Sequence, residues 1–224
     1  MYKSLMILIL FIFVSCICFG QKNNIQNIDK QTAVYNFESV KIGNQVWMRK
    51  NLSVEHYKNG DPIRHITDST AWVNLSTGAW RYYNDDPATG AIYGKLYNWY
   101  AVHDPRGLAP AGWHVATDDE WSLMVTALGS DFNAGKMLKE IGTSHWLTPN
   151  TSATNESGFT ALPGGSLRYG DSYFTGLGAS GCWWTASGSA EPYAKMRSMS
   201  HSGTSVYRGS TFRTYGFSVR CVKD

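Results

Sequence analysis

The residues with the chemistry for catalysis or metal binding are six histidines, four cysteines and a few adjacent acids in a 224-residue chain. His56, His65, His103, His114, His145 and His201 are scattered, with no HxxxH-type spacing that would set two imidazoles on one helix face. Cys182 and Cys221 lie far apart, and no CxxC pair or flanking second thiol accompanies either, so a thiolate metal site is not expected. Asp85-Asp86 with Asn84 supplies oxygen ligands suited to calcium, but the same residues are ordinary turn formers, and the solvated turn is the stronger reading. Asp118-Asp119-Glu120 offers paired carboxylates. Thr117 immediately before them makes a helix capping box, with the acids favoured at the positive end of the helix dipole. No GxSxG elbow is present to activate a serine. These patterns point away from an enzyme and from a bound cofactor, and toward a binding protein.

The chain ends constrain where such a protein works. Lys3 precedes an apolar run from Leu5 to Val14, too short for the ~20 residues of a membrane span. Small residues from Ser15 to Gly20 follow, which is the form of a secretory signal over residues 1–20. Two processing sites are open. Val14-Ser15-Cys16 resembles a lipobox that would lipidate Cys16, with Phe13 where Leu is usual. Cys18-Phe19-Gly20 before Gln21 suits ordinary cleavage, and free secretion is the preferred reading over a lipid anchor. No later stretch is apolar enough to cross a membrane. Residues 21–37 read as a polar spacer with an early edge strand, and residues 38–224 as one domain large enough for a proper core. The formal charge is +3 with Lys and Arg dispersed, which argues against nucleic acid as a partner. An exported domain with two cysteines suggests one disulfide, two buried thiols being the alternative.

Positioning elements follow from pattern. Val40 to Met48 predicts a hairpin turning at Gly43-Asn44, and Lys58 to Pro62 another turn. A helix is predicted over Gly94 to Val102, with Leu96, Trp99 and Tyr100 on one face. A stronger one begins at Thr117, buries Trp121, Met124, Val125 and Leu128, and ends at Gly129. Asn133 to Ile141 adds a short third helix. Phe159 to Pro163 opens a strand-like region, Gly164-Gly165 demands a special backbone conformation, and Trp183 to Ala186, Ala194 to Ser200 and Phe217 to Val222 read as consecutive strands. Nine tryptophans and thirteen tyrosines exceed what a core alone needs, although the tryptophans within the motifs below read as core.

A set of motifs occurs in order: Val46-Trp47-Met48 with Asn51-Leu52; Tyr93-Gly94 through Tyr97-Asn98-Trp99-Tyr100-Ala101-Val102; Gly112-Trp113-His114-Val115 before Glu120-Trp121; Gly158-Phe159 with Leu162-Pro163-Gly164-Gly165; Trp183-Trp184; and Gly216-Phe217-Ser218-Val219-Arg220-Cys221-Val222. Together, from about Val40 to Asp224, they resemble the Fibrobacter succinogenes major paralogous domain. That family is similar to the C-type-lectin-like fold shared with formylglycine-generating enzymes. The resemblance implies an α+β fold, with two main helices packed on short, twisted, mostly antiparallel sheets and with neighbouring termini. It also implies an exported or cell-surface protein of a Bacteroidota-type bacterium. Family members often carry a cysteine where Ala109 stands here, so on this resemblance Cys182 replaces it as the partner of Cys221. His114, in the Gly-Trp-His motif, reads as an anchor of core or loop.

Some members of the family are variable ligand-binding proteins whose diversified positions fall in the C-terminal segment. Strand alternation over Ala194 to His201 sets Met196, Ser198 and Ser200 on one face, with Arg197 and Met199 facing away. After Tyr207-Arg208, Gly209 to Arg213 reads as a loop before the last strand. The expected contact surface is therefore Met196, Ser198, Ser200, His201, Ser210, Phe212 and Arg213, mixing hydroxyls, an aromatic, a guanidinium and an imidazole for adaptable recognition of a glycan or protein ligand. A structural or assembly role at the cell surface is the alternative, and an enzyme related to formylglycine-generating enzymes ranks third.

Overall fold

Gly43, at φ +57°, turns the chain between β1 (Ser39–Ile42) and β2 (Gln45–Met48), which pair antiparallel with Val40 opposite Trp47. The expected hairpin is therefore present. The computed structural model describes residues 37–168 and 173–224, so the signal segment, its processing sites and all but the last residue of the spacer lie outside the described residues. Downstream come β3 (Arg64–His65), α1 (Ser69–Val73), β4 (Ala79–Arg81), a 3-10 turn at Tyr83–Asp85 and α2 (Pro87–Tyr93). Then follow β5 (Leu96–Tyr97), α3 (Trp99–Val102), β6 (Trp113–Val115), α4 (Asp118–Ala127) and α5 (Ala134–Leu138). The rest is strand: β7 (Gly164–Leu167), β8 (Phe174–Leu177), β9 (Ser180–Gly188), β10 (Tyr193–Ser200), β11 (Tyr207–Phe212), β12 (Ser218–Val219) and β13 (Cys221–Lys223).

The fold is α+β, mostly sheet with few helices. β1-β2-β13-β6 forms one sheet, so the first and last strands of the domain share it. β3-β4-β5 forms a second. The third runs β11-β10-β9-β7-β8, with β12 lying parallel on β9. Among the described residues only α4 reaches ten residues, so one main helix stands there in place of the two expected. The helix predicted over Gly94 to Val102 shrinks to α3. Leu96 and Tyr97 instead pair with Arg81 and Trp80, and the Asn98 carboxamide caps the helix by accepting from the Ala101 N–H. Phe159 to Pro163 forms no strand; only Ala161 bridges, to Lys139. Trp183 to Ala186 and Phe217 to Val222 are parallel neighbours rather than consecutive strands.

All nine tryptophans are buried, so their surplus is core material, whereas Tyr173, Tyr193 and Tyr207 remain exposed. The ordered motifs meet at Asn51. Its carbonyl oxygen accepts from Trp183 Nε1 at 2.9 Å and Arg220 Nε at 2.7 Å, and its amide nitrogen donates to the Tyr93 carbonyl at 2.8 Å. Arg220, wholly buried, also donates to the Met48, Phe159 and Thr160 carbonyls. Each polar group taken from water here has a partner, the condition for burying it at modest cost.

The Cys182–Cys221 bridge is not formed: both thiols are free and buried. The register explains why. Ser218 stands opposite Trp183 in the parallel β9–β12 pair, so Cys182 is level with Phe217 and Cys221 lies four residues further on. By then the chain has left that sheet for the one formed by β1, β2, β13 and β6, so the two thiols stand on strands of different sheets. Burial pushes the Cys182 thiol up to about 12 and the Cys221 thiol higher still.

Candidate functional site

The capping box at the start of α4 is complete. Thr117 Oγ1 accepts from the Glu120 N–H at 3.2 Å, and Glu120 Oε2 accepts from the Thr117 N–H at 2.8 Å. With Thr117 and Glu120 committed to the cap, the next residue, Asp118, points its carboxylate into the protein, where it is wholly buried. Arg197 of β10 approaches at 2.8 Å with its own side chain 1% exposed, Lys195 at 3.4 Å, and Arg208 of β11 through Nε and Nη2. Burial raises the Asp118 pKa, but hydrogen bonds and charge from Arg208 and Arg197 outweigh it, and the carboxyl stays below its ordinary value.

The β10–β11 register brings these cations to one carboxylate. Tyr193 pairs with Phe212, Lys195 with Ser210, Arg197 with Arg208 and Ser198 with Tyr207. In such a ladder, paired residues share a face and alternate residues reverse. One face of the hairpin thus carries Lys195, Arg197, Arg208 and Ser210; the other carries Met196, Ser198 and Tyr207. Beside the first face opens a cleft of about 230 Å³ lined by Ser122, Val125, Thr126, Asp131, Phe132, Arg197 and Arg208, among others. Its outer wall, residues 130–132, is held in place. The Val206 N–H donates to the Asp131 carbonyl at 2.8 Å, and Thr204 Oγ1 donates to that of Phe132 at 2.7 Å. Gly135 permits this approach, since a Cβ there would lie 2.7 Å from the Thr204 carbonyl oxygen. Phe132 itself is 79% exposed.

The seven residues expected to form the contact surface are not brought together. Met196 is buried among Trp184, Cys182 and Ala194 in the core. Ser198 is half-buried on the face opposite Ser210. Ser200 and His201 lie at the far end of β10. There the Ser200 carbonyl accepts from the buried Lys139, and His201 Nδ1 is 3.0 Å from the Thr148 carbonyl. Lys139 also donates to the Thr151 and Gly203 carbonyls, and burial pulls its pKa down to about 8, so this end is an internal tie. Phe212 packs on Tyr193 with ring centroids 4.9 Å apart. Arg213 donates to the Tyr193 and Ser189 carbonyls, pairs with Glu191 and lies 4.6 Å over the Trp99 ring, so it fastens the β9–β10 connection. Gly209 to Arg213 is not a loop, since Gly209 to Phe212 belong to β11. Of the seven, Ser210 alone is exposed and on the cleft's face of the hairpin.

Sequence reasoning assigned Asp118 only to the helix dipole and turned Arg197 away from the site. The available signal was Lys195 and Arg197, two charges at strand spacing inside an otherwise apolar run, which require a buried partner. His114 is an anchor as expected: Nε2 lies 2.7 Å from Glu120 and Nδ1 2.7 Å from Asp224, tying α4 to the last residue. Asp85 pairs with Arg81 at 2.5 Å and Asp86 caps α2, so both carboxylates of the calcium reading have protein partners. Among the described residues no cluster of three or more His, Cys, Asp or Glu could hold a metal, and no helix is long and apolar enough to cross a membrane.

Residues 40–223 match the family model described as the Fibrobacter succinogenes major domain. No curated protein and no solved structure matches the chain.

Proposed function

We propose that this chain, which belongs to the Fibrobacter succinogenes major domain family, is an exported or cell-surface binding module, and that it meets its glycan or protein ligand at the α4–β10–β11 cleft and along the outer strand β11. The observation that carries this reading is the pair Arg197 and Arg208, locked around Asp118 at the base of an open cleft. Donors whose orientation is already set lose little entropy when a ligand arrives. Strand β11, at the sheet edge, adds exposed Arg208 and Ser210 on the cleft's face and exposed Tyr207 on the other. We read the fold as C-type-lectin-like; the pairing of β2 with β13, which puts the domain's ends side by side, supports that.

The test uses purified protein on arrays of immobilised glycans and cell-surface proteins, comparing wild type with a Tyr207→Ala/Arg208→Ala variant. Binding should fall about tenfold or more, as for loss of a charged hydrogen bond, with the thermal midpoint nearly unchanged. A folded variant that binds its partner as well as wild type places the contact surface elsewhere.

A further inference from the structure

The charges around the cleft are balanced in number, with cations paired to a buried carboxylate and further acids exposed beside them. Lys195, Arg197 and Arg208 gather around the one carboxylate of Asp118, an excess of two positive charges, and of the three Arg197 and Arg208 line the cleft. Asp131 lines the cleft from its exposed outer wall, and Asp119, also exposed, joins it in adding negative potential at Arg208. The buried Arg197 therefore makes the base positive, while at the mouth the half-exposed Arg208 stands with the rim acids Asp119 and Asp131. Each arginine also has donors to offer. Arg197 engages Nε and Nη2 with Asp118 and Ser122, and Arg208 engages Nε and Nη2 with Asp118. Neither Nη1 has a hydrogen-bond acceptor among the described residues, although Arg197 is almost wholly buried and both guanidinium-bearing side chains line the cleft.

A simple anion would meet Asp131 on its way in, and an uncharged glycan unit would leave both Arg197 and Asp131 without a charged partner, so the ligand group that enters the cleft must carry both charges. We infer that the cleft takes a small zwitterion, a carboxylate beside an ammonium, of the free α-amino-acid type. Its carboxylate would accept from the two Nη1 groups and its ammonium would donate to Asp131, while Val125 and Phe132 would cover an aliphatic side chain. The cleft, about 230 Å³, is smaller than the roughly 300–1,000 Å³ of drug-sized pockets and suits one such unit. This inference rests on the cleft being the contact surface proposed above.

Calorimetric titration at low salt with L-leucine, N-acetyl-L-leucine and L-leucinamide tests it, because screening at high salt would blunt every arm. L-Leucine should bind, and loss of either charge should weaken binding by about tenfold or more. Asp131→Asn, at an exposed position, should abolish the preference for L-leucine over its N-acetyl form. Arg208→Gln should weaken both carboxylates and leave the amide unaffected. Equal binding of the three probes, or no binding of L-leucine, overturns the inference. If L-leucine fails but an array partner is still lost in the Tyr207→Ala/Arg208→Ala variant, the zwitterion is wrong and the contact surface stands. If L-leucine binds wild type and both single variants alike, it binds outside the cleft and the zwitterion assignment falls, while the array comparison decides the contact surface.

Discussion

Arg197 and Asp118, 79 residues apart in the chain, meet at 2.8 Å with both side chains buried. Arg208 reaches the same carboxylate with its side chain 55% exposed. This contrast separates two mutations of the same chemistry. Arg197→Met should cost about 3–5 kcal/mol, because it removes the buried partner of a buried charge. Arg208→Met should cost about 1 kcal/mol or less, as for a solvent-screened pair. Urea denaturation of the two variants checks the order, and equal costs would contradict the burial argument.

The same cluster sets an acid limit. The folded-state pKa of Asp118 lies below the ordinary 3.8, so the folded protein holds this proton less tightly than the unfolded chain. Its contribution to stability is present above the unfolded value and is lost as pH falls through the folded one. Asp118→Asn should therefore flatten the stability profile below about pH 4. An unchanged acid limb in that variant would count against the assignment.

His114 acts in the opposite sense. Burial lowers its pKa, but Asp224 and Glu120 raise it by more, and the result lies above 6.5. The folded state binds the proton more tightly. The stabilisation is complete below the unfolded value and disappears as pH rises through the folded one. Stability should decline above about pH 6.5 in wild type and lose that decline in His114→Gln, as read from thermal midpoints across pH 5 to 9.

Thr117→Ala should destabilise by about 0.5–2 kcal/mol, the usual cost of deleting an N-cap, while Thr117→Ser keeps the hydroxyl and stays near wild type. A denaturation midpoint unchanged in the alanine variant would show that the cap contributes nothing.

The two thiols should resist alkylation in the native protein and react together on unfolding. Burial both shields them and holds them protonated at neutral pH. Mass spectrometry of peptides from the non-reduced protein should find both Cys182 and Cys221 labelled after denaturation. A mass two hydrogens lighter with no label would restore the bridge.

Arg213→Ala should now destabilise the fold, the reverse of what its assignment as a ligand contact implied. Its guanidinium ties Tyr193, Ser189 and Glu191 together over Trp99. A thermal midpoint that matches wild type would return it to the surface.

Local signals were legible in the sequence because each is decided within a few residues. Thr117 and Glu120 close a cap three positions apart, Gly43 meets the positive φ of a hairpin turn, and Gly165 adopts φ +66°. The ordered motifs also identified the family, since their residues converge on Asn51 and Arg220 in the core. The site was not legible, because strand register has a period of two and a shift of one residue exchanges the faces. Reading Gly209 to Arg213 as a loop removed the partner strand that fixes which face of β10 is shared. With it went the reason for Lys195 and Arg197 to stand opposite Ser210 and Arg208. Composition likewise measured the abundance of tryptophan but not its burial, which depends on three sheets closing around it. Motif and cap chemistry are properties of the chain. The meeting of Asp118 with Arg197 and Arg208 is a property of how distant strands align, and only tertiary structure decides that.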